Sequence, residues 1–292
     1  MKIAFFGTPD FAVPSLRALV ESRKHDVVCV VTQPDRPSGR GRELTPSPVK
    51  KFAIENNIPT FQPENVSKEF NSPPWRGGTA VGSDGVVDPD LLVVVAYGQI
   101  LRQNVLDYCK HGAINVHASL LPKYRGSSPI QWAIINGETR TGITVQQMVL
   151  KVDAGDILYQ IETDIGEHET AGDLFTRLAD MGASALIETL DQIEAGTAVR
   201  TPQDHAAATH FPMLAKTDGK IDFSKPPTEI VNLVRGMNPW PMAYVSSNLG
   251  DIRVHRASVV DGKLQLDIVQ PPGKRPMPYK EFINGHKHIR FE

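Results

Sequence analysis

Val27–Thr32 reads Val-Val-Cys-Val-Val-Thr, and Leu91–Ala96 reads Leu-Leu-Val-Val-Val-Ala. Neither run alternates apolar with polar residues. A strand with one wet face does alternate, so an unbroken apolar run belongs to a strand covered on both faces, as in a parallel sheet between helix layers. Met1–Gly7 is a third short apolar run, closed by Gly7-Thr8-Pro9-Asp10, and Phe11–Val20 follows with helical spacing at Phe11, Leu16, Leu19 and Val20. Strand, loop and helix in that order predict a Rossmann-like, doubly wound, mostly parallel α/β domain.

Working outward, Ala113–His117 and Ile143–Met148 read as further strands with a helix over Pro129–Asn136 between them. Ala171–Glu194 carries apolar residues at Leu174, Leu178, Met181, Ala185 and Leu186 and reads as a long helix closing the domain. From Gln203 to Pro212 the periodicity fades into Ala, His and Thr, as in a linker. Beyond it come a helix over Glu229–Met237 and strands over Ala243–Ser247, Ile252–Val260 and Lys263–Val269. The expected division is a larger α/β domain over 1–204 and a small β-rich domain over 205–292. Gln33–Lys51, with four prolines and five basic residues, and Asn71–Asp88, dense in Gly, Pro, Ser and Asp, read as exposed loops.

With 40% hydrophobic and 22% charged residues the composition is that of an ordinary globular protein, and 292 residues suffice for two packed domains. The apolar start is too short for a signal-peptide core and no later run approaches the ~18 residues of a membrane span, so a cytoplasmic protein is expected. Cys29 and Cys109 lie in or near apolar runs without CxxC spacing and read as reduced, buried thiols. The net charge of −2 conceals an asymmetry: residues 216–292 carry 12 Lys and Arg against 8 Asp and Glu, and the rest 19 against 25. A basic tail suits a phosphate backbone, though an ordinary solvated surface explains it equally well.

The GTPDF turn after the first strand lacks GxGxxG, so a nicotinamide cofactor is not expected. Chemistry concentrates instead at Asn115–Gly126, where a strand runs out into a loop, the place where α/β sheets bind ligands. Asn115 and His117 are two apart on an extended chain and share a face. An amide can donate to a developing oxyanion while an imidazole moves a proton near neutral pH, which together suit acyl transfer through a tetrahedral intermediate. A carboxylate in the Gly-containing turn Val152–Asp156 could orient the imidazole and favour its charged form; spacing alone does not separate Asp153 from Asp156. The alternative is that Asn115 and His117 are capping or core-satisfying groups. No GxSxG elbow activates Ser119, and His111 and His117 lack a metal-binding helix spacing, so neither serine nor metal hydrolysis is indicated.

The segments Asn115–Gly126 (NVHASLLPKYRG) and Val152–Asp156 (VDAGD) together resemble the signature of the folate-dependent formyltransferase family. The resemblance implies transfer of a formyl group from 10-formyltetrahydrofolate to an amine, without a metal. It places the family's Asn-His-Asp trio on Asn115, His117 and Asp153 and not on Asp156. It further implies that folate is held by Ala96, Tyr97, Gly98, Gln99 and Ile100 after the LVVVAYGQIL strand, by Ser119, Leu120, Leu121 and Pro122, and by the turn around Asp153.

Phe5–Leu16 (FFGTPDFAVPSL), Thr32–Lys50 (TQPDRPSGRGRELTPSPVK) and Met237–Val245 (MNPWPMAYV) are similar to the branch of the family that acts on methionyl-tRNA. This implies methionyl-initiator tRNA as partner, with Arg36, Arg40, Arg42 and Lys50 contacting its phosphates, and a monomeric enzyme of translation initiation. Ile252–Lys274 is shorter than the family's carboxy-terminal barrel, which implies a trimmed OB-like domain. Amino-sugar formyltransferases would share the trio, and a folate- or RNA-binding protein without turnover is the rival of another class.

Overall fold

A computed structural model describes residues 1–38, 43–69 and 88–291. In chain order the elements are β1 Lys2–Gly7, α1 Val13–Ser22, β2 Asp26–Val31, β3 Arg36–Ser38, β4 Glu43–Thr45, α2 Pro48–Glu55, β5 Thr60–Phe61, α3 Val66–Glu69, β6 Leu91–Val95, α4 Gln103–Leu106 and β7 Ala113–His117. They continue with β8 Arg125–Gly126, α5 Pro129–Ile135, β9 Arg140–Gln147, β10 Ile157–Asp164, α6 Ala171–Ala195 and β11 His210–Phe211. The last are α7 Pro227–Gly236, β12 Ala243–Val245, β13 Ile252–Val260, β14 Lys263–Gln270, β15 Met277–Pro278 and α8 Tyr279–Gly285.

Seven strands form one sheet in the order β10-β9-β7-β6-β1-β2-β5. β5, β2, β1, β6 and β7 run parallel and β9 returns antiparallel to β7, which makes the sheet mostly parallel as expected. The non-alternating runs are its interior: Phe5, Val30, Leu92 and Val93 have no exposed surface. From β1 the chain winds one way to β2 and β5, then crosses to β6 on the other side. That reversal opens a crevice at the carboxyl ends of β1 and β6, where the Thr8 hydroxyl donates to the Tyr97 carbonyl at 2.9 Å.

Several elements were not foreseen, among them β10 and those within Gln33–Lys51. β10 alternates half-buried and exposed positions from Tyr159 onward, the pattern of an edge strand with one open face. The proline-rich Gln33–Lys51 is not a plain loop: β3 pairs with β4, and Pro48 begins α2. Ser47 caps that helix, its hydroxyl accepting from the Lys50 amide at 3.1 Å, and proline suits the first turn because no amide hydrogen is needed there. Of the other expected loop, residues 71–87 lie outside the described residues.

The chain divides into two compact units: 1–125 with 142–161 and 176–208, and 126–141 with 162–175 and 209–292. In the second, β12, β13, β14 and β15 form a four-stranded antiparallel sheet, the small β-rich tail expected. Its core joins Ile230 and Val234 of α7 to Val245, Val254, Val269 and Phe282. Burying such side chains contributes about 1.5–3 kcal/mol each.

Candidate active site

β7 delivers Asn115 and His117 to the carboxyl end of the sheet. Across the antiparallel ladder Asn115 lies opposite Gln146 and His117 opposite Thr144. Directly opposed residues project to the same side, so these four side chains share one face. His117 is buried and Asn115 half-buried.

The imidazole has two neighbours. Its Nε2 lies 2.8 Å from the Tyr124 carbonyl oxygen, and its Nδ1 lies 3.7 Å from Asp153 Oδ1. A carbonyl only accepts, so Nε2 carries the hydrogen, and Nδ1 of the neutral ring holds the lone pair facing Asp153. At 3.7 Å that contact is too long for a neutral hydrogen bond, yet it is an ion-pair distance once Nδ1 is protonated. Of the two candidate carboxylates, Asp153 is the one that meets His117; the Asp156 backbone carbonyl accepts from the Gln147 amide at 2.9 Å.

The loop after β7 is riveted from below. The Thr144 hydroxyl donates to the Ser119 carbonyl at 2.6 Å and accepts from the Leu121 amide at 3.1 Å and from the Gln160 amide at 2.8 Å. Ser119 donates to the Lys123 carbonyl at 2.8 Å. These bonds fix the path to Tyr124, which sits at φ 58° and aims its carbonyl at His117. Asp153 also has a positive φ of 51°, a conformation that Asp tolerates better than most residues. Gly155 closes the same turn: a Cβ there would overlap the Gln147 carbonyl oxygen.

Beside Asp153 opens a cavity of about 140 Å³ lined by Gln99, Ile100, Leu101, Gln146, Met148, Val149, Leu150, Val152 and Asp153. Ile100 is 77% exposed and Leu150 59%, with Val149 and Val152 also exposed. Four bare aliphatic side chains around one carboxylate make a surface for a flat, apolar ligand edge with a polar rim. Gln146, Val149, Leu150 and Val152 were not singled out from the sequence. The available signal was an apolar pair, Val149-Leu150, placed after a strand that had already ended.

The expected folate residues divide. Gln99 and Ile100 line the cavity, although the Gln99 side chain is tied to the Pro63 carbonyl and the Val66 amide. Ala96 and Gly98 are exposed at the end of β6 with positive φ. The Tyr97 ring turns into the core against Phe6, leaving its backbone to face the crevice; burial pushes its phenol pKa upward. Ser119 and Leu121 are buried, whereas Leu120 and Pro122 are partly exposed, and none of the four is in the lining of the cavity beside Asp153.

Among the basic residues, Arg36 is exposed on β3 with Glu64 at 4.0 Å. The Lys50 ammonium is held by Asp35 at 2.7 Å and the Gln62 side-chain oxygen at 2.6 Å, and its hydrogen bond draws the Asp35 carboxyl below the usual range. Arg40 and Arg42 lie outside the described residues.

A Rossmann-like sheet that presents an amide, a tautomerically fixed imidazole and a carboxylate at its carboxyl edge has the groups that acyl-group transfer uses. The chain belongs to the formyl transferase family: residues 1–190 match the formyl transferase model and 213–265 that of the formyl transferase C-terminal domain. It is 43% identical over 307 residues to a methionyl-tRNA formyltransferase of Geobacter metallireducens, an alignment spanning 98% of this chain and 96% of that one. Its fold is similar to a methionyl-tRNA formyltransferase from Clostridium thermocellum, with TM-score 0.58, 17% identity and coverage of 93% and 98%. It is also similar to a sugar 3N-formyl transferase solved in the presence of dTDP and 5-N-formyl-THF, with TM-score 0.66, 19% identity and coverage of 95% and 97%.

Proposed function

We propose that this formyltransferase moves the formyl group of 10-formyltetrahydrofolate to the α-amine of methionyl-initiator tRNA. The observation that carries the chemistry is the His117 ring, whose Nε2 is committed to Tyr124 and whose Nδ1 faces Asp153. The likeness to methionyl-tRNA formyltransferases over nearly the whole chain carries the choice of amine.

In this reading Asn115 donates its amide hydrogen to the formyl oxygen as negative charge develops there, a bond that strengthens toward the transition state. His117 Nδ1 receives the proton that the attacking amine releases, directly or through water, and Asp153 stabilises the imidazolium so formed. The same nitrogen returns a proton to the folate nitrogen as its bond to the formyl carbon breaks. The aliphatic rim of Ile100, Val149, Leu150 and Val152 fits the aromatic part of the folate. Gln99 and Ile100 within that cavity, and Ala96–Gly98 and Ser119–Pro122 outside its lining, complete the folate contacts of this reading.

The division of labour assigned here is chemistry in 1–204 and RNA holding in 205–292, with Arg36, Arg40, Arg42 and Lys50 meeting tRNA phosphates. Among the described residues no helix is long and apolar enough to cross a membrane, and the protein works as a monomer in the cytoplasm. Purified protein given 10-formyltetrahydrofolate with methionyl-tRNA, or separately with an amino-sugar nucleotide, tests the reading by mass spectrometry of the products. Formyl-methionine esterified to tRNA supports it; transfer to the sugar alone refutes the choice of amine.

A further inference from the structure

Among the described residues the largest fully buried side chain is that of Arg125, one residue beyond the Tyr124 carbonyl that holds His117. A guanidinium in such a place needs partners. Its Nε and one terminal nitrogen donate to the Gln203 side-chain oxygen at 3.1 and 2.6 Å, and that terminal nitrogen also lies 2.9 Å from His205 Nδ1. Arginine only donates, so the Gln203 oxygen must face it and the Gln203 nitrogen must face away. That nitrogen has two hydrogens, which go to the Gly155 carbonyl at 2.7 Å and the Asp153 carbonyl at 3.0 Å, with the Gln146 side-chain oxygen, at 3.3 Å, sharing one of them. With its oxygen so engaged, Gln146 must turn its own nitrogen to Asp153 Oδ1, at 3.0 Å.

We infer that Arg125, Gln203 and Gln146 are positioning residues that form a one-directional hydrogen-bond relay ending on the Asp153 carboxylate. Each amide is oriented by the donor before it, so neither can flip without losing bonds at both ends. Gln203 also clamps the two carbonyls flanking Ala154, which holds the positive-φ turn that carries Asp153. The relay thereby sets both the place and the accepting role of the carboxylate that faces His117. This inference rests on the proposed roles of His117 and Asp153.

Two variants test it, and His117→Ala accompanies them. Gln203→Glu keeps an acceptor for Arg125 but cannot donate to Asp153, Gly155 or Gln146. Gln146→Met keeps the length and loses the donor to Asp153. Both are expected to keep the wild-type far-ultraviolet spectrum and a KM for the tRNA within about twofold, while kcat at saturating folate falls about ten- to a hundredfold, as for loss of a hydrogen bond to a charged group. A merely structural role would not move the pH profile; here the acid limb of kcat in Gln146→Met shifts to higher pH, because a carboxylate that has lost a donor holds the proton on the neighbouring imidazolium more firmly. The charged or titratable groups facing that carboxylate and its relay are His117, Arg125 and His205.

If Gln203→Glu fails to fold, Gln146→Met decides. Wild-type kcat in Gln146→Met beside a collapsed rate in His117→Ala overturns the relay alone. A wild-type rate in His117→Ala overturns the underlying site.

Discussion

The carbonyl oxygen of Tyr124 accepts from His117 Nε2 at 2.8 Å, and this one bond decides which imidazole nitrogen is free to take a proton. Nδ1 is left toward Asp153, and Asp153 in turn lines the cavity rimmed by Ile100 and Val152, whose lining includes neither His117 nor Asn115. The pairing follows from the loop itself, since Thr144 and Ser119 bond the backbone that brings Tyr124 round.

Asn115→Ala is expected to lower kcat by about a hundredfold or more with little change in KM, since its amide acts on charge that exists only in the transition state. Steady-state kinetics with 10-formyltetrahydrofolate and methionyl-tRNA check it. A large rise in KM at unchanged kcat would instead make Asn115 a binding residue.

Leu150→Ser and Ile100→Ser act in the opposite sense. Both side chains are largely exposed, so thermal stability should hold while KM for the folate rises about tenfold, the scale of an aliphatic group lost from a ligand contact. Equal KM values in variant and wild type would place the folate elsewhere.

Gly155→Ala should lower the melting temperature by several degrees and abolish transfer, because the added methyl group meets the Gln147 carbonyl and must displace the turn bearing Asp153. Differential scanning fluorimetry beside a rate measurement tests both halves.

Much of this fold was open to reading because burial on both faces removes alternation. Val27–Thr32 and Leu91–Ala96 announced the parallel sheet, and the strand at Ala113–His117 was placed residue for residue. The pairing of β3 with β4 and the start of α2 were hidden because prolines signal a loop, while Ser47 and Pro48 are equally the start of a helix. Asn115 and His117 were legible as a pair through the two-residue repeat of a strand. Gln203 was not: it sits in a stretch without periodicity, and its importance comes from Arg125, 78 residues away in sequence. Such side-chain networks leave no local pattern.

The thiols give a pH prediction. Burial pushes Cys109 up to about 12 and raises Cys29 as well, and both thiols are free. A group whose folded pKa exceeds its unfolded one contributes stability below the unfolded value, about 8.5 for cysteine, and loses it as pH rises above that. Stability should therefore decline from about pH 8.5 upward, and aromatic disulfide reagents should label neither thiol at pH 8 until denaturant is added. Prompt labelling of the native protein would contradict the burial.

Arg36→Ala is expected to weaken tRNA binding and reduce the salt slope of log K by about one, with single-turnover chemistry intact. Lys50→Ala should also loosen the packing of Asp35 and Gln62, visible as a lower melting temperature. Filter binding across a salt series separates the two; an unchanged slope in Arg36→Ala would remove that residue from the RNA surface.

The most direct test is the rate of formyl transfer to methionyl-tRNA by wild type and His117→Ala under saturating folate and tRNA. The predicted result is formyl-methionyl-tRNA from the wild type and a loss of at least about a hundredfold in the variant, with both substrates still bound. Transfer by His117→Ala at a rate near wild type would contradict the assignment of proton transfer to this imidazole.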